Sequence, residues 1–450
     1  MTLFYQMEKN ERIVGKCVDY TFDGMGIVKH QGFCIFVKNM LIDEHAEIVI
    51  TKVGKDYGYG KVLKLLEVSD DRVEPLCSSF PQCGGCQIQH FSFEHQREFK
   101  QQMVKQAINH IGKIDVEVNA VMSMDDPWKY RNKMQLPVQY DNGQFKMGFY
   151  RVNSHNIIPF GNCCIQSDLA NRIVNYIKTL LMKYEVKDDV RHLVLKTQNS
   201  TSQVMVVLVC NKIEVNNLAE IVKDLTAEFE EVCSIIQNIN DKKTNVILGD
   251  TEIVLCGNEY VVDYMGNFEF HISARSFYQV NPKQAQILYE KAIELAGIDS
   301  NSKVVDVYCG VGTITMFLAK HAKEVIGIEI VTQAIKNAKN NAERNNINNV
   351  TFMLGSAKDC TKKLVDEEYD VDVVVVDPPR KGCDTNTLEA IIEMDPKKIV
   401  YVSCNPATLA RDLRYLEDNN YKVTVVQPVD MFPQTYHVET IVSLVKQPQR

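Results

Sequence analysis

The chain has 450 residues, 45% hydrophobic and 24% charged, with a formal net charge of −8. That length exceeds one ordinary core and predicts two or three domains, and no apolar run approaches the roughly 18–20 residues that span a bilayer. The acidic balance weighs against a nucleic-acid partner, whose phosphates attract Lys and Arg, although a local basic patch can sit on an acidic protein. The opening stretch MTLFYQMEKNERIVGK lacks a signal-peptide pattern, so the expectation is a cytoplasmic protein with no membrane partner and no obligate protein partner.

In chain order, residues 11–67 carry short alternating runs (IVGKCVDY, GIVKH, FCIFV, AEIVITKV, YGKVLKLLE) separated by Gly-bearing turns. Five such strands predict an OB-like barrel, a fold that binds oligonucleotides among other things. A Cys-rich segment follows at 69–90, then a helix over QREFKQQMVKQAINHIG, then strands with intervening helices over 120–265. From about 285, apolar runs (KVVDVYC, EVIGIEI, VDVVVVD, KIVYVSC) alternate with helical stretches. Strands apolar on both faces and joined by helices predict an α/β doubly wound parallel sheet. The tail, TVVQPVD then HVETIVSLVK, is suited to antiparallel edge strands.

Fourteen cysteines are many, and in a reducing compartment a cluster of them points to a metal or to catalysis. Cys17, Cys34, Cys210, Cys233, Cys256, Cys360 and Cys383 stand alone in apolar or loop contexts and read as small core residues. Cys77, Cys83 and Cys86 lie within ten residues, with Gly84 and Gly85 letting the backbone fold around a bulky centre. A fourth thiol must come from afar, and Cys163-Cys164 is the one adjacent pair suited to it. Spacing leaves zinc and iron–sulfur comparable.

VVDVYCGVGTITMFLA reads as strand, turn and helix, with Gly310 and Gly312 allowing close approach to a ligand. A third glycine is missing, which disfavours NAD. Glu329 ends the next strand and can accept from ribose hydroxyls; in VVVVDPPRKG, Asp377 closes the apolar run of the fourth strand. All three lie at carboxyl ends of parallel strands, where open α/β sheets bind ligands. The order resembles class I S-adenosylmethionine-dependent methyltransferases. In that superfamily Asp-Pro-Pro-Tyr accompanies methylation of exocyclic amines; here the tetrad is Asp377-Pro378-Pro379-Arg380, which weakens an amine-methylating reading.

Methylation of uracil carbon 5 needs one activated thiol to add at carbon 6 and one carboxylate to remove the carbon 5 proton. Cys404, ending KIVYVSC before Asn405-Pro406, suits the first role, and Glu439 in TYHVETIVSL the second. Pattern alone gives neither much weight, since a strand-end Cys is more often inert and a lone strand Glu more often solvated.

DVYCGVGT, DPPRKG, SCNPATLARDL, HVET and SFYQVNP, with CGGCQIQH and WKYRNK, closely resemble the RNA uracil-5-methyltransferase family in its bacterial 23S rRNA branch, which carries an N-terminal TRAM domain. The resemblance covers nearly the whole chain. It implies Cys404 as nucleophile, Glu439 as proton acceptor, and Gln279, Tyr308, Gly310, Gly312, Thr313, Glu329, Ser356 and Asp377 around S-adenosyl-L-methionine. It favours a 4Fe-4S cluster on Cys77, Cys83, Cys86 and Cys163, with Cys164 standing where family members carry Pro. It implies a TRAM barrel over 1–68, a central α+β iron–sulfur domain over 69–270, and a methyltransferase domain over 271–450. From Pro127 to Arg151 five basic residues face one acid, interleaved with aromatics, and Lys129, Arg131, Lys133 and Arg151 are the RNA-binding candidates. The expected substrate is a uridine of 23S rRNA, flipped from its stack. The alternatives are the same chemistry on tRNA, a methyltransferase acting on an amine, and a non-catalytic RNA-binding assembly factor.

Overall fold

The computed structural model describes residues 7–141, 144–242 and 244–448; residues 1–6, part of the stretch read above for a leader, lie outside the described residues. The chain forms two compact units. One holds the chain up to Lys100 with Tyr150–Ile158 and Phe432–Tyr436; the other holds Gln101–Phe149, Pro159–Met431 and the chain from His437. Among the described residues no helix is long and apolar enough to cross a membrane.

In the first unit, β1 (Arg12–Tyr20), β2 (Gly26–His30), β3 (Phe33–Lys38), β4 (His45–Val53) and β5 (Tyr57–Glu67) close into a barrel in the order β1-β2-β3-β5-β4. This is the OB-like barrel expected from the alternating runs. Strand periodicity sends Val28, Ile35, Val37, Ile48 and Ile50 inward to pack with Cys17 and Met40. Helix α1 (Phe93–His110) starts earlier than the sequence pattern suggested. Ser92 caps it: its Oγ accepts from the His95 N–H at 3.2 Å and its carbonyl from the Gln96 N–H at 2.9 Å.

The second unit carries β6 (Lys133–Asp141), β7 (Gln144–Tyr150), β8 (Ile157–Pro159), α2 (Asp168–Lys183), β9 (Val190–Thr197), β10 (Val204–Cys210), α3 (Leu218–Glu228), β11 (Val232–Ile239) and β12 (Thr251–Gly257); β7 and β8 each extend into the first unit. Its mixed sheet runs β12-β11-β10-β9-β6-β7. Ile173, Val174 and Ile177 of α2 and Ile221 and Leu225 of α3 join Leu193, Val206 and Leu208 in one core. A separate hairpin, β13 (Tyr260–Met265) and β14 (Phe268–Ser273), leads to the second sheet.

That sheet is built from α4 (Pro282–Ala296), β15 (Lys303–Val307), α5 (Thr313–Ala319), β16 (Glu324–Glu329), α6 (Thr332–Arg344), β17 (Val350–Leu354), α7 (Ala357–Asp366), β18 (Val373–Val376), α8 (Thr385–Glu393), β19 (Lys398–Ser403), α9 (Pro406–Asp418), β20 (Tyr421–Val429) and β21 (Glu439–Lys446). The order is β17-β16-β15-β18-β19-β21-β20. Strands β15 to β19 are parallel, as the doubly wound reading required. The order reverses between β15 and β18, so their carboxyl ends flank the switch point where such sheets bind ligands. The tail strands are antiparallel as expected, but only β20 is at the edge: β21 lies between it and β19.

A buried ion pair ties the barrel to the segment after it. Glu44 is fully buried, and its carboxylate accepts from Arg72 Nε at 2.5 Å, Arg72 Nη2 at 2.8 Å and the Leu41 N–H at 2.7 Å. Removing the cation alone strands a desolvated carboxylate. Arg72→Met is expected to destabilise the first unit by about 3 kcal/mol, read as a lower midpoint in urea denaturation; an unchanged midpoint rules out this anchoring role.

Candidate active site

After β15 the backbone turns through Tyr308 (φ 72°), Gly310 (φ 56°) and Gly312 (φ 79°) into α5. A Cβ on Gly312 would sit 3.1 Å from Ala338 Cβ and 3.2 Å from the Phe352 ring, whereas open space surrounds Gly310. The first glycine therefore leaves room for a ligand and the second lets α5 pack. Glu329, at the end of β16, braces this turn: Oε2 accepts from the Gly310 N–H at 3.2 Å and Oε1 from the Val331 N–H at 2.8 Å. Ser356 has a structural job, capping α7 by accepting from the Asp359 N–H at 3.1 Å and donating to Asp359 Oδ2 at 2.6 Å. Thr313 is the first residue of α5. Gln279 precedes α4, and its carbonyl accepts from Asn132 Nδ2 at 3.0 Å.

Along the same sheet edge stand the acids and the thiol. Asp306 is fully buried; its Oδ2 accepts from Thr315 Oγ1 at 2.6 Å, and Oδ1 has no partner among the described residues. Burial pushes Asp306 up to about 7, with the Glu329 charge adding to it. Burial and then Asp306 push Asp377 up to about 7. β21 runs antiparallel to β19 with Thr440 opposite Ser403, so Glu439 and Cys404 follow side by side at the carboxyl edge. Burial and then Asp377 push Glu439 up to about 8; burial, then Glu439 and Asp377, push the Cys404 thiol up to about 11. The exposed Arg380 guanidinium opposes both shifts. Sequence reasoning found Cys404, Glu439 and Asp377 but noticed Arg380 only as a missing Tyr.

The loop carrying Arg380 is clamped to α9. The Arg380 carbonyl accepts from Asn405 Nδ2 at 3.1 Å and Thr408 Oγ1 at 3.2 Å. Buried Asp412 accepts from Tyr401 Oη at 2.6 Å and the Cys383 N–H at 2.9 Å. Its other oxygen accepts from Arg411 Nε at 2.8 Å, and Arg411 Nη2 also donates to the Lys381 carbonyl at 3.0 Å.

The other sequence candidates are differently placed. Cys77, Cys83 and Cys86 share one loop of the first unit, where burial and neighbouring Cys77 push the Cys83 thiol up. The Gly85 N–H donates to Cys83 Sγ at 3.4 Å. Cys163 belongs to the second unit, its N–H donating to Asn171 Oδ1 at 2.8 Å. Among the described residues no three His, Cys, Asp or Glu side chains are grouped to hold a single metal ion. Of the basic candidates, Lys129 pairs with Asp168 at 2.6 Å; Arg131 Nε donates to the Lys133 carbonyl at 3.2 Å. Lys133 is half-buried, its pKa lowered by burial and by Arg131. Arg151 is exposed in the first unit. Of the lone cysteines, Cys17, Cys210, Cys360 and Cys383 are buried, while Cys34, Cys233 and Cys256 are half-buried.

A strand–glycine turn–helix opening, acids at successive strand ends and a parallel sheet closed by an antiparallel pair define an S-adenosylmethionine-dependent methyltransferase fold. The solved structure of the Pyrococcus abyssi tRNA (uracil-54, C5)-methyltransferase with S-adenosyl-L-homocysteine matches at TM-score 0.76 and 27% identity, over 96% of this chain and 99% of that one. The tRNA (uracil-5-)-methyltransferase family model matches residues 92–447, and the chain belongs to that family; it is an S-adenosylmethionine-dependent RNA methyltransferase. Relatives named as uncharacterized RNA methyltransferases include one from Clostridium tetani, 48% identical over 427 residues (93% of each chain). Another, from Bacillus cereus, is 45% identical over 445 residues (97% of each).

These charges set the thiol's behaviour. Alkylation of Cys404 by iodoacetamide, followed on its own peptide by mass spectrometry, should accelerate with pH up to about 11. Glu439→Gln removes a charge that opposes the thiolate and moves the profile to lower pH; Arg380→Gln moves it higher. Identical profiles in all three proteins contradict the arrangement.

Proposed function

We propose that this protein methylates carbon 5 of a uridine in RNA, with 23S rRNA as the substrate, through a transient bond between Cys404 and carbon 6. The observation that carries this reading is the β19–β21 register, which sets a thiol and a carboxyl side by side at the ligand-binding edge. Bound S-adenosyl-L-methionine supplies an electrophilic methyl group. Gln279, Tyr308, Gly310, Thr313, Glu329 and Asp377 would hold it, and the fit rests on the open space at Gly310 and the braced turn. Gly312 shapes that turn, and Ser356, busy capping α7, contributes least.

Cys404 gives its proton to solvent, and the thiolate sulfur bonds to carbon 6, moving the ring electrons toward carbon 5 and the O4 oxygen. Arg380, exposed beside both groups, stabilises the developing negative charge. Carbon 5, holding that electron pair, would accept the methyl group that S-adenosyl-L-methionine supplies, with S-adenosyl-L-homocysteine as the leaving group. Glu439 then removes the carbon 5 proton, the sulfur–carbon bond breaks, and the 5-methyluridine departs. Glu439 must be ionised for that step, so below about 8 its protonated fraction limits the free enzyme. The positive sulfonium favours the carboxylate.

The resemblance to the 23S rRNA branch supports a 4Fe-4S cluster on Cys77, Cys83, Cys86 and Cys163, held for structure rather than for radical chemistry. The N–H···S bond from Gly85 to Cys83 is the kind that steadies a ligating thiolate. A four-iron cube is larger than a single ion and keeps its thiolates further apart. Lys129, Arg131, Lys133 and Arg151 remain the proposed RNA contacts, of which Lys129 and Arg151 are exposed. A tRNA substrate is the second reading, favoured by the likeness to the archaeal tRNA enzyme over almost the whole chain.

Incubation with 5-fluorouridine-substituted RNA and S-adenosylmethionine should trap a covalent complex on Cys404 that Cys404→Ala cannot form. Glu439→Gln should accumulate a methylated adduct on ordinary RNA, because elimination is blocked, and lose at least about a hundredfold in turnover. Near-normal methylation by Cys404→Ala overturns the reading, and 5-methyluridine mapping in a deletion strain decides between rRNA and tRNA. Anaerobically purified protein is expected to carry iron and sulfide, with Cys83→Ser losing both; iron-free wild type, or wild type retaining only zinc, rejects the cluster.

A further inference from the structure

Gln279 sits in a stretch, 274–281, that belongs to neither β14 nor α4 nor any other helix or strand. Backbone without a ladder must have its carbonyls held by something else. In this stretch and at its start, two residues do so. Lys196 Nζ donates to the Ser273 carbonyl at 2.7 Å and the Ser276 carbonyl at 2.9 Å. Asn132 holds the far end: its N–H donates to the Val280 carbonyl at 2.9 Å and its Nδ2 to the Gln279 carbonyl at 3.0 Å. The two donors stand together. β6 pairs with β9, Lys133 opposite Lys196, and the carbonyl of Asn132, just before β6, accepts from the Thr197 N–H at 2.9 Å. The end of one strand pair thus grips the whole segment.

Lys196 is a costly residue for that task. It is 4% exposed and makes no ion pair among the described residues. Burial and then Lys133 push its pKa down to about 7, with Glu252 opposing. Both of its protonation states carry enough N–H groups for two carbonyls, so the grip outlasts the charge. What lies at the other end of the segment accounts for the expense. The hydroxyl of Tyr289, on α4, is raised by burial first and then by Asp377, with Gln279, Glu439 and Asp306 also acting on it. Gln279 and three acids of the candidate site therefore lie within reach of one phenol.

We propose that Lys196 and Asn132 are positioning residues that hold Gln279 in place for S-adenosyl-L-methionine. Neither touches the reacting atoms; both act through the backbone of 273–280. A segment already fixed in the free protein loses little freedom when the cofactor binds, and that saving appears as affinity. The inference rests on the reading that puts Gln279 at the cofactor and adds what fixes it there.

The test uses the full-length protein, calorimetric titration with S-adenosyl-L-homocysteine, and amide hydrogen exchange in the ligand-free state. Lys196→Met, which removes two hydrogen bonds, should weaken binding by roughly tenfold, and Asn132→Ala, which removes one from Gln279, by about fivefold. KM for S-adenosyl-L-methionine should rise with them while kcat at saturation and the pH profile of Cys404 alkylation stay unchanged. Exchange should quicken over 273–281 and not elsewhere. Should Lys196→Met fail to fold, Asn132→Ala decides. Wild-type affinity in the variants overturns the proposal, as does an affinity loss accompanied by faster exchange throughout the domain, the mark of general loosening. Gln279→Ala that binds like wild type sinks instead the placing of Gln279 at the cofactor, and exchange then still decides whether the two residues hold the segment.

Discussion

The pairing of β21 with β19 is the constraint on which the site depends. Parallel strands deliver their carboxyl ends to one edge, so a parallel sheet alone offers only residues that follow strands. An antiparallel strand inserted beside β19 delivers its beginning to that edge, and Glu439 thereby arrives next to Cys404. The neighbourhood is crowded with acid: Asp306, Asp377 and Glu439 all hold protons to about pH 7 or 8 because burial and mutual repulsion penalise their charged forms. Such a set gains most from a positive charge placed among it. In the proposed reaction bound S-adenosyl-L-methionine would supply such a charge, and Cys404 and Glu439 would ionise more readily beside it.

Arg380 is the protein's own positive charge in this neighbourhood, and its exposure makes its position a question of backbone rigidity. The answer lies in α9. Asn405 and Thr408 hold the Arg380 carbonyl, and Asp412 gathers Tyr401, the Cys383 amide and Arg411 into one buried node. The helix that follows Cys404 thus also fixes the loop bearing the cation. Thiol, carboxyl and guanidinium sit on three segments tied by hydrogen bonds, which limits the reorganisation needed when charge develops.

Much of this was legible in sequence because buried parallel strands are continuous apolar runs, and the residue that breaks each run marks its end. Gly310, Glu329, Asp377 and Cys404 are such break points. What stayed hidden depends on pairing between distant segments. Glu439 reads as an ordinary strand residue until the antiparallel register is known. Arg380 and Asp412 have meaning only once α9 packs against the loop. Lys133 reads in sequence as a fully exposed cation, and in the sheet it is half-buried opposite Lys196. Lys196 is itself buried and donates to the Ser273 and Ser276 carbonyls at 2.7 and 2.9 Å. A linear pattern cannot distinguish a lysine that turns inward from one that reaches solvent. The same holds for the barrel: FCIFVK and YGYGK each show rings and lysines, but only the parallel pairing of β3 with β5 merges them into one face.

Net charge proved a poor guide to the partner for a related reason. At physiological ionic strength, fields between exposed charges fade over roughly 8 Å, so an RNA strand responds to the surface it touches rather than to the sum over the chain. A local group of exposed lysines can attract it while acids elsewhere are neutralised in pairs such as Glu44–Arg72. Flipping a uridine from its stack costs a few kcal/mol, and the reacting base has few atoms with which to offset that. Contacts made by flanking nucleotides can supply the difference. A gripping surface away from the chemistry is therefore what the reaction proposed at Cys404 requires.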